Sequence, residues 1–183
     1  MNKKTLWITQ TAAMLALLIA LQWVTAYIPK PVQQYITGSC VNAVLAVTVL
    51  IVGMSSGLTV ALLSPVFAYL FGIAPNLVAV PAIMAGNAVF VVLLKLICGK
   101  QLWRQMLAWL AAAAAKFGVL YLLVVVVACG LLSDELIASG VMKAPMLKVL
   151  PVTFSWPQLV TALIGGAVAL LILPILKKTL KNT

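Results

Sequence analysis

The chain has 183 residues, 65% of them hydrophobic and only 8% charged, with a mean hydropathy of +1.22. A soluble domain carries about 25% charged residues, so a water-soluble globule is excluded and an all-α, polytopic membrane bundle is expected. The net charge of +10 does not mark a nucleic-acid binder, because the basic residues flank the apolar runs instead of gathering in one patch.

In chain order, Asn2-Lys3-Lys4, an apolar run and Val24-Thr25-Ala26 imitate a signal peptide. The run Leu6 to Ile28 is longer than the 7–15 residues typical of such a core, and more spans follow. It is expected to be a first transmembrane helix, at about 5–28. Ala12, Ala16 and Ala20 recur along it every fourth residue, a smooth stripe of the kind that lets a second helix approach closely in lipid. The spacing alone favours a contact inside the bundle. Pro29 and Pro31 break the chain, and further spans are expected at about 38–54 and 57–73, joined by the glycine turn Gly53–Gly57. Ala74-Pro75-Asn76 ends the third; a fourth is expected at about 78–98 and a fifth at about 106–132. The fifth contains Ala111–Val119, AAAAAKFGV. The longest loop, Ser133 to Ser155, holds both acids, Asp134 and Glu135, before a sixth span at about 156–176. Without repeats or linkers, residues 1–183 are expected to form one domain, a six-helix bundle.

Six spans put both termini on one side. That side carries Lys3, Lys4, Lys95, Lys100, Arg104, Lys177, Lys178 and Lys181, against Lys30, Lys143 and Lys148 on the other. The positive-inside bias therefore predicts cytoplasmic termini. Lys116 belongs to neither side. It lies roughly 15 Å into the fifth helix, where a charge costs at least about 2.5–3.5 kcal/mol and so marks a functional site by default. Its structural alternative is a neutral lysine, or one bonded to helix carbonyls.

The remaining intramembrane polar residues concentrate in the outer half. Gln22 and Asn42 lie near the outer ends of the first and second helices, and Asn87 lies near the middle of the fourth. Gln158 and Thr161 begin the sixth. Together they predict an outward-opening pocket with apolar walls and Lys116 and Asn87 as its floor. Gln22 and Asn42 equally suit helix–helix hydrogen bonds. Trp156 fits either an interfacial belt or ligand contact at the mouth, whereas Trp109, near the inner end, is expected to pack.

No catalytic residue and no metal site is expected. Histidine is absent, which removes imidazole bases and ligands, and Cys40, Cys98 and Cys129 are scattered without a CxxC, as buried free thiols. A membrane enzyme would need Lys116 to reach a hydroxyl such as Ser64. The main alternative is an autonomous secondary transporter working as a homodimer, which lacks the buried acid or histidine that proton relays use.

Across nearly its whole length the chain resembles the S components of energy-coupling factor (ECF) vitamin transporters. The resemblance rests on the alanine stripe, TGSCVNAV (37–44), LLSPVFAYLFGIAP (62–75), AGNAVFVV (85–92), AAAKFGVLYL (113–122) and FSWPQLVTALIGG (154–166). It implies a six-helix substrate-capture subunit in the bacterial plasma membrane. Its partners would be a transmembrane coupling (T) subunit and two ATPase (A) subunits that use the ATP. The chain itself has no GxxxxGK[ST] and is expected to hold no cofactor. By resemblance Ala12, Ala16 and Ala20 would dock on the T subunit, reversing the preference for an internal contact. The connection bearing Pro31 and Tyr35 would serve as a lid. With Lys116 its only deep charge, the pocket is expected to take an anionic, carboxylate-bearing or strongly accepting micronutrient, oriented by Asn87, Asn42, Gln158 and Thr161.

Overall fold

The computed structural model describes residues 2–30 and 32–181, except the side chains of Leu180 and Lys181. Its helices are α1 (Lys3–Thr25), α2 (Val32–Ile51), α3 (Met54–Leu70), α4 (Ala79–Ile97) and α5 (Leu102–Leu120), the last continued by a π-helical stretch, Tyr121–Leu131. Two short helices, α6 (Ser133–Ala138) and α7 (Met146–Thr153), precede α8 (Trp156–Lys181). Five helical stretches are long and apolar enough to cross a bilayer, and α3, with 17 residues, is shorter. The protein is an all-α, multi-pass membrane protein.

The helix boundaries differ from the sequence expectation in informative ways. The second helix begins at Val32 instead of near 38, because a proline constrains the residue before it and leaves the chain after it free to turn helically. Tyr35 is therefore on a helix, where it is exposed, and not in a loop; Pro31 lies outside the described residues. The fifth span starts earlier, at Leu102, and widens to a π-helix over the segment containing Val124–Val127, where β-branched side chains crowd an α-turn most. More than half of the expected long loop is helical, as α6 and α7. Gly53, at φ 134°, makes the turn between α2 and α3, a conformation that L side chains rarely adopt.

Small residues set how closely the helices approach. A Cβ on Gly165 of α8 would stand 2.5 Å from the Ser39 carbonyl oxygen and 2.6 Å from Asn42 Cβ, and one on Gly38 of α2 would meet the Thr161 side chain at 2.8 Å. Gly166 lies against the Trp109 indole, whose Nε1 donates to the Ala162 carbonyl. Trp109 is thus a packing residue, as expected. On α5, Ala108, Ala112 and Ala113 are fully buried beside Leu45, Val49 and Phe90. That core fills the half of the bundle nearer the termini. At the other end a smaller cluster joins Leu120, Val124, Leu150 and Phe154. Between them the bundle opens.

Candidate functional site

Lys116 is only 3% exposed. Its Nζ donates to Asn42 Oδ1 at 2.6 Å and to Asn87 Oδ1 at 2.7 Å, tying α5 to α2 and α4. It also stands 5.6 Å from the centroid of the Phe90 ring, within cation–π range. An ammonium has three donors and no acceptor, so both carboxamides must present oxygen to it, and one N–H remains.

Local backbone chemistry turns both asparagines the right way. Pro65, inside α3, has no N–H to give the carbonyl four residues earlier, at Ala61. Asn87 Nδ2 donates to that Ala61 oxygen at 3.4 Å, which leaves Oδ1 for the lysine. In α2, Asn42 Nδ2 donates to Gly38 O at 2.8 Å, with the same result. A proline in one helix thus fixes an amide in another, as expected where no water can satisfy a freed carbonyl.

Lys116, Asn42 and Asn87 line a cavity of about 490 Å³. Its walls draw on Gln22 of α1, Gln33 to Asn42 of α2, Ser64 to Ala68 of α3, Ile83 of α4, and Gln158 of α8. All of these lie toward the helix ends away from the chain termini. Val149, Val152 and Thr153 of α7 close one side, and the Thr153 carbonyl accepts from both Gln34 Nε2 (2.7 Å) and Gln158 Nε2 (3.2 Å). Thr37 Oγ1, donating to Thr25 Oγ1 at 2.7 Å, joins α1 to α2. Gln22 reaches Ser64 O at 3.4 Å through Nε2, while its Oε1 and Ser64 Oγ are buried without partners. Lys116 therefore makes no bond to Ser64, and no Ser–Lys pair forms.

Of the residues expected at the ligand, the structure brings Lys116, Asn87, Asn42, Gln158 and Gln22 to one cavity. Thr161 and Trp156 lie elsewhere. Thr161 Oγ1 is turned to the Gln158 carbonyl, packed against Gly38. Trp156, 70% exposed, stacks on Phe117 with centroids 6.2 Å apart. Tyr35 is absent from the cavity wall, to which α7 contributes instead. Lys30, Lys148, Gln33 and Ser64 also line it, although sequence reasoning assigned none of them there. The two lysines were legible only as topology charges at the outer helix ends, and Gln33 was lost with the late start given to the second helix. No Asp or Glu is among the lining residues. The three cysteines are free thiols, half-buried.

Ala12, Ala16 and Ala20 all face away from the bundle and are exposed. The internal contact that their spacing favours does not form among the described residues.

A multi-pass helical bundle with an apolar-walled cavity over a polar floor is a membrane solute-binding protein. The family model described as "ECF transporter, substrate-specific component" matches residues 10–177, and the chain belongs to that family. No curated protein and no solved structure matches it significantly. It is therefore a transporter subunit and not an enzyme. ECF S components bind substrate in the prokaryotic plasma membrane and associate with T and A subunits, the ATPase subunits using the ATP.

Proposed function

We propose that this chain captures a vitamin-like, anionic micronutrient on the outer side of a bacterial plasma membrane, with Lys116 as its electrostatic anchor. One observation carries the reading: a lysine 3% exposed, bonded to two neutral carboxamides and to no acid, at the floor of a cavity. The asparagine dipoles stabilise the ammonium without cancelling its charge. A carboxylate or similar acceptor at the third N–H would complete its shell, forming the strong, charge-assisted kind of hydrogen bond. Gln158, Gln22 and the Ser64 hydroxyl would orient the rest of the molecule. The connection from α1 to α2 and helix α7 flank the mouth, and both termini would lie in the cytoplasm. The exposed alanine face of α1 would receive the T subunit.

The test is mass spectrometry of the small molecule released from detergent-purified protein, followed by titration of that molecule. Lys116→Ala is expected to bind it at least about thirtyfold more weakly, the loss typical when one partner of a buried charged contact is removed. Undiminished affinity would reject the anchor.

A further inference from the structure

The cavity carries cations at two levels. Lys116 is at its floor, and Lys30 and Lys148 also line it while remaining exposed. They arrive from unrelated elements, Lys30 from the α1–α2 connection and Lys148 from α7. Among the described residues neither has a carboxylate partner, and no Asp or Glu lines the cavity. The apolar lining includes Val41, Pro65, Ile83, Val149 and Val152. On α2 the lining runs from Gln33 to Asn42, a depth of roughly 13 Å at helical rise. Gln33, 4% exposed, lines the outer part of this run, and its carboxamide makes no hydrogen bond among the described residues.

We infer that the cavity takes an elongated molecule with an apolar middle and an anionic group at each end. The inner group meets Lys116, and the outer one meets Lys30 and Lys148, with Gln33 beside it. This rests on the anchor reading for its inner end only; the outer subsite stands on separate residues. A ligand with a single acidic group would meet only one of the two levels of positive charge, whereas a two-ended anion meets both. The outer contacts are exposed to salt, whose screening length is about 8 Å at physiological strength. The inner one is shielded from it.

The probes are linear dicarboxylates of about six to ten carbons, each paired with its half-amide, which keeps length and shape but removes one charge. Their affinities are read from thermal unfolding of the purified protein at low and high salt. In the wild type, the best-fitting diacid is expected to bind about three- to tenfold tighter than its half-amide, the range open to exposed charge contacts. High salt should erase that advantage, as should the double substitution Lys30→Gln, Lys148→Gln, in which the half-amide still binds. Equal affinity of diacid and half-amide in the wild type, or a preference that survives the double substitution, would overturn the outer subsite. So would failure of every member to bind. Lys116→Met separates the two readings. If it weakens both probes, the inner anchor holds; if both are unaffected while the double variant loses the diacid preference, the anchor fails and the outer subsite stands.

Discussion

Lys116 is the residue on which the proposed site turns, and its neighbours can be tested individually. Asn87 holds two groups at once, the lysine ammonium and the carbonyl that Pro65 leaves free. Asn87→Asp would place a carboxylate against the ammonium and cancel the charge offered to the ligand. Affinity for an anionic ligand is expected to fall about tenfold or more, because a nearby like charge disfavours the incoming anion. The fold should persist at reduced stability, because the aspartate pairs with the lysine but offers the Ala61 carbonyl no donor. Isothermal titration with the identified ligand checks this, and undiminished binding would mean that the ligand does not respond to the floor's charge. Lys116→Arg should also weaken binding, since a planar fork cannot replace a compact ammonium between two carboxamides. The buried lysine at the cavity floor was legible in the sequence because depth in a spanning helix leaves a charge few explanations. Its partners were legible less completely. Asn87 was expected at the floor, but the proline that orients it acts across helices, a relation that spacing along one helix does not encode.

At the scale of elements, the hydrophobic runs located every span, while their ends depended on details that composition obscures. The apolar run of α2 begins near 38, six residues after the helix itself, so Gln33 and Tyr35 lie in a helical turn that hydrophobicity does not mark. Helix α7 was missed because only eight residues form it and its sequence includes a proline. Close packing rests on glycines whose partners only the structure supplies. Gly165 is the sharpest case, since a methyl group there would strike the Ser39 carbonyl and Asn42 Cβ. Gly165→Ala is expected to push α8 from α2, destabilising the protein by about 1–3 kcal/mol as overpacking does. It should also weaken ligand binding by displacing Asn42 from Lys116. Gly118→Ala is the control: a Cβ there meets nothing within 4 Å, and it should be neutral or stabilising by up to about 1 kcal/mol. Thermal unfolding and ligand titration of both variants distinguish local crowding from a general intolerance of added methyls.

Across the whole molecule, two surfaces would divide the work in the proposed reading. The cavity and its lysines occupy the helix ends away from the termini, while the exposed alanines run along the outer side of α1, on a helix that also contributes Gln22 to the cavity wall. Spacing alone favours inward packing of the stripe, but all three alanines are exposed. A face of small residues turned to lipid gains little from contact with acyl chains, but it permits close helix approach by a membrane partner. Ala16→Trp is therefore expected to abolish co-purification with the T and A subunits. Ligand affinity should remain within about twofold of wild type, because the indole would project away from the cavity and substitutions at independent sites leave each other's energetics nearly unchanged. Leu171→Trp, at a comparably exposed position on α8, adds the same ring to a different face and should leave the complex intact. Retention of the full complex by the Ala16 variant would detach the docking role from the stripe. Loss of the complex in both variants would show that any bulky lipid-facing residue disrupts assembly, and only the contrast between them assigns the partner to α1.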